Sequence, residues 1–342
     1  MTKTVQSKGS FSRFTNLLTG GAKPRGTRAL MMVLLVAGVL ALAGVVSADD
    51  YYQGLAPLTV AQGSVTGDVD ALYANTWTSP DNVVSDSAWA NFTLQAPATG
   101  KTLKFARLYV VVYSGNMTAN FKGNETIKLY NSNTLTATLA DHQPLDLAYD
   151  RTQGISWDYS VSAPFTNLSR TTSDYLSVFD VKDYVTSNAI NVNVMTMNET
   201  LDVDTGGIGR FDGRIKEAKL IYGWDDSSST GVTRYWLNEG QDPVTSKSAD
   251  YIGETDFNAV TWGGSLTNAV LYTDDVASAN GVYTWNETTI TPTTLAYNSY
   301  ARLNQFTLTP LNLIQGNNYV TYNRTGTYYK LAIALLKIQS SS

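Results

Sequence analysis

The sequence predicts an all-β protein built as two tandem antiparallel β-sandwich units of jelly-roll type. Three observations predict it: short runs of β-branched and aromatic residues, turn residues between those runs, and a set of signals that recurs in the same order in each half. Phe105 to Tyr113 (FARLYVVVY), Ile190 to Met197 (INVNVMTM), Lys219 to Trp224 (KLIYGW) and Tyr328 to Ile338 (YYKLAIALLKI) have strand length and are bounded by Gly, Asn, Ser or Asp. Only Asp180 to Asn188 carries a helix start signal, with Asp180 as cap and Asn188 as stop, and it predicts a single turn. Nothing else sustains a period near 3.6.

The chain opens on a leader. Arg25 and Arg28 precede the apolar run Ala29 to Val46, and small residues lead to Asp49-Asp50, the order of a secretory signal peptide cleaved after Ala48. The run also reaches the lower end of what spans a bilayer, so an uncleaved anchor is the alternative and the one expected membrane contact. Residues 1–48 are thus read as signal peptide, 49–230 as the first sandwich unit, and 231–342 as a junction and the second unit.

The two units share four signals. Ala106-Arg107-Leu108-Tyr109 recurs as Ala269-Val270-Leu271-Tyr272, and Asn124-Glu125-Thr126 as Asn286-Glu287-Thr288. Phe179 leads to Asn191 as Phe306 leads to Asn318, and each half closes on an apolar run. A diverged duplication accounts for that order, pairing Leu108 with Leu271 and Phe179 with Phe306.

Leu58 to Leu72 (LTVAQGSVTGDVDAL), Phe105 to Tyr113, Asp212-Gly213-Arg214-Ile215 leading into Lys219 to Trp224, and Tyr235-Trp236-Leu237-Asn238-Glu239-Gly240 resemble a family of secreted surface proteins of methanogenic archaea. The resemblance implies an extracellular all-β protein similar to those that build cell envelopes, including the tubular sheath of filamentous methanogens. It brings no catalytic residues.

Charge and composition narrow the function. The chain has 342 residues, 24 Lys+Arg against 29 Asp+Glu, one His and no Cys. The six bases before position 48 meet no acid there, leaving 18 bases against 29 acids in the rest, an acidic surface unsuited to nucleic acid. Without Cys there is no disulfide, thiol nucleophile or thiolate metal site, and His142, in the polar turn context Asp141-His142-Gln143, permits no multi-His metal site. An exported chain so composed must hold itself together by burial and assembly.

The candidate sites follow from these limits. Asp202, Asp204 and Asp212 beside Gly206-Gly207 form a calcium candidate, read against a solvated turn, and no other cofactor is expected. Sequons begin at Asn91, Asn116, Asn124, Asn167, Asn198, Asn286 and Asn323 and are glycosylation candidates in an exported chain. Trp77, Trp89, Trp157, Trp224, Trp236, Trp262 and Trp285 divide between core positions and sugar-stacking platforms. Leu331, Ile333, Leu335 and Ile338, in a run broken only by Lys337, are the candidate assembly strand.

The resulting expectation is a non-enzymatic extracellular structural protein, self-assembling by strand pairing with itself and other envelope components into a sheath, lattice or filament. A secreted carbohydrate-binding or adhesion module is the alternative, with glycans as partners. A hydrolase using two carboxylates that meet only in space is the third reading.

Overall fold

The computed structural model describes residues 56–74, 85–115, 121–146, 148–150, 154–156, 165–199, 211–245, 252–276, 281–298, 300–325 and 328–341. The leader, Trp77, Trp157, Asn116, Asp202 and Asp204 lie outside the described residues. No helix among the described residues is long and apolar enough to cross a membrane.

The chain is all-β, as predicted, and among the described residues it has one 3-10 turn, Lys182–Tyr184, inside the segment expected to form a single helical turn. The first strands are β1 (Leu58–Val65), β2 (Val69–Ala74), β3 (Ser85–Thr93), β4 (Lys101–Tyr113), β5 (Gly123–Asn131), β6 (Thr134–Pro144), β7 (Ala148–Asp150) and β8 (Gly154–Ser156). Next come β9 (Phe165–Thr171), β10 (Asp174–Asp180), β11 (Ala189–Asn198) and β12 (Arg214–Asp226). The remainder are β13 (Gly231–Thr245), β14 (Gly253–Val260), β15 (Leu266–Val276), β16 (Gly281–Trp285), β17 (Thr288–Ile290), β18 (Thr293–Tyr297), β19 (Ala301–Thr307), β20 (Gly316–Arg324) and β21 (Tyr328–Ser341).

These strands make two sandwiches with one strand order. The first has an inner sheet β2-β12-β4-β10-β9 and an outer sheet β3-β11-β5-β6; the second has an inner sheet β13-β21-β15-β19-β18 and an outer sheet β14-β20-β16-β17. Register agrees at the centre. Leu108 stands opposite Phe179 and Leu220, and Leu271 opposite Phe306 and Leu336. The Asn-Glu-Thr signal is not equivalent in the two halves: Asn124 lies at the start of β5, whereas Asn286 and Glu287 form the left-handed turn after β16. β1 pairs with β13 and so joins the inner sheet of the second sandwich, although it precedes the first in sequence.

The two inner sheets pack against each other, giving four layers. Each sandwich has its own core, and a third apolar cluster that includes Tyr109, Val111, Val178, Ile221, Tyr272 and Leu335 fills the space between the inner sheets. The central inner strands β4, β12, β15 and β21 are therefore covered on both faces over most of their length, which explains their near-continuous apolar runs. Outer strands alternate instead. In β3, Ala90 and Phe92 turn inward while Ser85, Ser87, Trp89 and Asn91 are exposed.

Charges that fall on the doubly covered sheets pair across the seam. Arg107 of the first sandwich meets Glu239 of the second through Nε–Oε1 at 2.5 Å and Nη2–Oε2 at 2.8 Å, and the Tyr109 hydroxyl donates to the same Oε1. Lys330 donates to Asp174, whose other oxygen lies 2.7 Å from Lys216 Nζ. Burial alone would raise the Asp174 carboxyl, yet the two lysines hold it below its ordinary value. Lys337 reaches Asp68 at 2.9 Å, and Lys219 meets Asp274.

The assembly strand is corrected by this arrangement. Leu331, Ile333, Leu335 and Ile338 are buried in β21, which is paired by β13 on one side and β15 on the other. A strand satisfied on both edges has no free backbone row to offer another subunit. Its apolar run instead suits a central strand covered on both faces.

Arg107→Met should cost about 3 kcal/mol in denaturant unfolding, because it leaves the Glu239 carboxylate buried without its counter-ion. Glu125, buried in the first sandwich and accepting a hydrogen bond from Ser177, has its carboxyl pushed up from 4.5 to about 7 by burial. The folded chain keeps that proton up to about pH 7 whereas the unfolded chain releases it near 4.5, so this contribution to stability is lost as pH rises through the interval. Unfolding curves at pH 5 and pH 8 should show Glu125→Gln gaining on the wild type at the higher pH, by on the order of 3 kcal/mol at most.

Candidate functional site

The open face of the first outer sheet collects the side chains best placed to meet a ligand. Strand β3 reads Ser-Asp-Ser-Ala-Trp-Ala-Asn-Phe-Thr, and its alternation sets Trp89 beside Ser87 and Asn91 on the face away from Ala90 and Phe92. Register then fixes the neighbours. Trp89 stands opposite Asn193, which stands opposite Lys128; Asn91 stands opposite Asn191, which stands opposite Tyr130. Directly opposed residues share a face, so two rows of three side chains form one patch.

Trp89 is 53% exposed, and its ring centroid lies 5.1 Å from that of Tyr130 at an interplanar angle of 51°. The amides beside the rings are held in place. Asn193 Nδ2 donates to Ser87 Oγ and to the Ala88 carbonyl at 3.3 Å each, and Asn191 Nδ2 donates to the Ser132 carbonyl. Lys128, the only charged side chain among these six, has no salt bridge among the described residues. The patch thus offers two angled rings, fixed amides, a hydroxyl and one cation.

The other sequence candidates fall in different places. Asp212 forms a salt bridge with Arg214 at 3.0 Å, and no group of three or more His, Cys, Asp or Glu suited to a metal ion occurs among the described residues. Asp225 accepts from the Thr66 backbone at 2.9 Å, and Asp226 accepts from the Ser228 backbone at 2.9 Å. His142 is exposed, with Nδ1 2.8 Å from Asp141. Trp224, Trp236 and Trp285 are core residues, and Trp262 packs partly buried on the second core.

The sequons separate by burial. Asn91 and Asn167 are exposed on the edge strands β3 and β9, and Asn323 is half-buried. Asn124 and Asn198 are corrected as glycan sites, since both are buried and a folded core has no room for a sugar at either. Asn286 spends its amide on the Asn312 carbonyl and the Asn318 side chain, at 3.0 and 2.9 Å.

Two buried carboxylates are strongly perturbed and serve structure. Asp275 is pushed up to about 6 by burial and accepts from Tyr283 at 2.6 Å and from Asn304 at 2.7 Å. Like Glu125, it sits inside a core without access to a ligand. Tyr130, Asn193 and Lys128 were not singled out by sequence, although the period-2 alternation of β3 and β5 carries the signal that would find them.

Comparison with known proteins adds the family. Residues 51–339 match the family described as Protein of unknown function (DUF3344). The chain belongs to it. No curated protein matches this DUF3344 member. Among solved structures it is similar to a β-porphyranase of glycoside hydrolase family 86 from the human gut bacterium Bacteroides plebeius, at 10% identity and a TM-score of 0.28, covering 72% of this chain and 38% of that one. It is also similar to BuGH86wt in complex with neoagarooctaose, at 10% identity and 0.28, covering 81% and 35%. PNGase F, a glycosylasparaginase from Flavobacterium meningosepticum, matches at 13% and 0.24, covering 80% and 96%.

The DUF3344 chain thus spans little more than a third of the two family 86 proteins. The expectation of a non-enzyme is corrected here, because two of these structures carry enzyme names, a β-porphyranase and a glycosylasparaginase. Their TM-scores assign no residue of this chain a role.

Burial makes the glycosylation sites testable. Peptide mapping of protein from its native source should find any glycan on the described sequons at Asn91, Asn167 or Asn323. A glycan on folded protein at Asn124 or Asn198 would contradict the packing around those side chains.

Proposed function

We propose that this protein binds a polysaccharide on the open face of the β3-β11-β5-β6 sheet, with Trp89 and Tyr130 as the stacking platform. One observation carries the reading: a tryptophan more than half exposed in the middle of a strand, with a second ring angled beside it and fixed amides on the adjoining strand. Large aromatic side chains normally recover their apolar area by burial, so an exposed tryptophan with a half-buried ring beside it on a regular sheet face points to a ligand that covers it. Sugar rings match that surface. Their C–H faces lie against aromatic rings while their hydroxyls reach amides and hydroxyls, here those of Asn91, Asn191 and Ser87, with the buried Asn193 holding the strand beneath.

The basic, apolar and small-residue order of the leader supports an exported protein, which would meet such a polymer outside the cell. In this reading the protein decorates an envelope or extracellular matrix by holding its glycan. The same platform serves a pure binding module and an enzyme that must grip a polymer.

Affinity electrophoresis through gels containing a neutral galactan, a β-glucan or a mannan tests the proposal. At least one gel should retard the wild type, and Trp89→Ala should weaken that retention at least tenfold, or about 1.4 kcal/mol, with the unfolding midpoint unchanged. Equal retention of the variant, or no retention of the wild type in any gel, would overturn it. Reducing ends measured in the same incubations report cleavage separately.

A further inference from the structure

The seam between the two inner sheets contains one cluster whose chemistry differs from that of the other ion pairs. Lys219 of β12 extends from the first sandwich and its Nζ touches Asp274 Oδ1 of β15 in the second. Glu217, two residues before Lys219 on the same strand, places Oε2 2.6 Å from that Nζ. All three side chains are 1–2% exposed. Neither contact has the alignment of a hydrogen bond, and Nζ, both Glu217 oxygens and both Asp274 oxygens lack a hydrogen-bond partner among the described residues.

Asp174 has the opposite arrangement. There one carboxylate lies between two lysines, and Lys330 also donates to the Thr171 carbonyl at 3.0 Å, as in an ordinary buried ion cluster. At Lys219 the stoichiometry is reversed: one amine serves two carboxyl groups, with Asp275 adjoining. Kept fully ionised, this cluster would bury excess negative charge and unsatisfied oxygens, at a cost of several kcal/mol per ion. A reaction that consumes the amine and one carboxyl removes both difficulties.

The geometry points to an intramolecular amide bond between Lys219 Nζ and Asp274 Cγ, formed with Glu217 as the proton carrier and joining the two sandwiches covalently. In the step, the Nζ lone pair attacks Cγ and the N–C bond forms. One Cγ–O bond breaks, and that oxygen leaves as water. Glu217 hands its proton to the departing hydroxyl and takes one from Nζ, so it ends as it began. The balance is an amine plus a carboxylic acid giving an amide plus one water, with no oxidant, reductant or activating group.

Three further features suit this reaction. Burial raises the Glu217 carboxyl and lowers the Lys219 ammonium, which favours the neutral acid and the neutral amine that the step requires. Folding holds nucleophile and electrophile in contact, and such fixed proximity supplies very large effective concentrations. A small cavity with room for about one water touches both Lys219 and Asp274 and is otherwise lined largely by Ala71, Ile221, Leu303 and Ile333, so the released water has a place beside the reacting groups. A chain with no cysteine would thereby gain a crosslink that reduction cannot break.

The test is peptide mapping of the full-length wild type, folded, then denatured and digested with trypsin. The expected product is a branched peptide one water lighter than its two components, with Lys219 and Asp274 joined and no cleavage after Lys219. Lys219→Arg should restore two linear peptides. Glu217→Gln should also do so while retaining the native circular dichroism spectrum, which separates a lost reaction from a lost fold. Asp274→Asn should give the same branched peptide with loss of ammonia in place of water. Separate, unmodified Lys219 and Asp274 peptides from folded wild type would overturn the proposal, as would a water lost within the Asp274 peptide while Lys219 remains free.

Discussion

The central strands of the two inner sheets have no solvent face, and this constraint governs most of what the sequence must do. A side chain in the central stretch of β4, β12, β15 or β21 meets either a sandwich core or the opposite inner sheet. Apolar residues satisfy that condition by packing. Charged residues satisfy it chiefly by meeting a counter-charge, and Arg107, Lys330 and Lys337 each do so across the seam. Removing one partner leaves a buried charge, so the pairs fix how the sandwiches meet even where they add little net stability.

That constraint separates what could be read in the sequence from what could not. The runs FARLYVVVY and LAIALLKI announce strands because nothing in them resembles a helix or a turn. They cannot say whether a strand so apolar is covered on both faces or open at an edge, since both states need the same residues. Strand β21 is the covered kind. The ion pairs were illegible for another reason: Arg107 and Glu239 lie 132 positions apart, and only the stacking of two sheets brings them together.

The candidate binding face was half legible. Trp89 stood among seven tryptophans with no ranking, yet its own strand separates it from the others, because Ser, Asn and Trp alternate there with Ala and Phe. Trp224 sits in a strand covered on both faces and Trp285 in a strand whose inward side faces a core, and both are buried. Tyr130 and Asn193 joined the patch through cross-strand register, which depends on pairings made over 61 to 104 positions in chain terms and leaves no local mark.

The placement of β1 has a mechanical meaning. It runs antiparallel to β13, which runs antiparallel to β21, so the first and last strands of the described chain point the same way with a single strand between them. The entry to β1 lies near Glu239, and the exit of β21 lies near Gly231, at the opposite end of β13. Tension applied through the chain on either side would pass through those three strands and load their hydrogen bonds side by side, in shear. The first sandwich, with its open aromatic face, hangs outside that path and would keep its grip while the sheet beside it bears the pull.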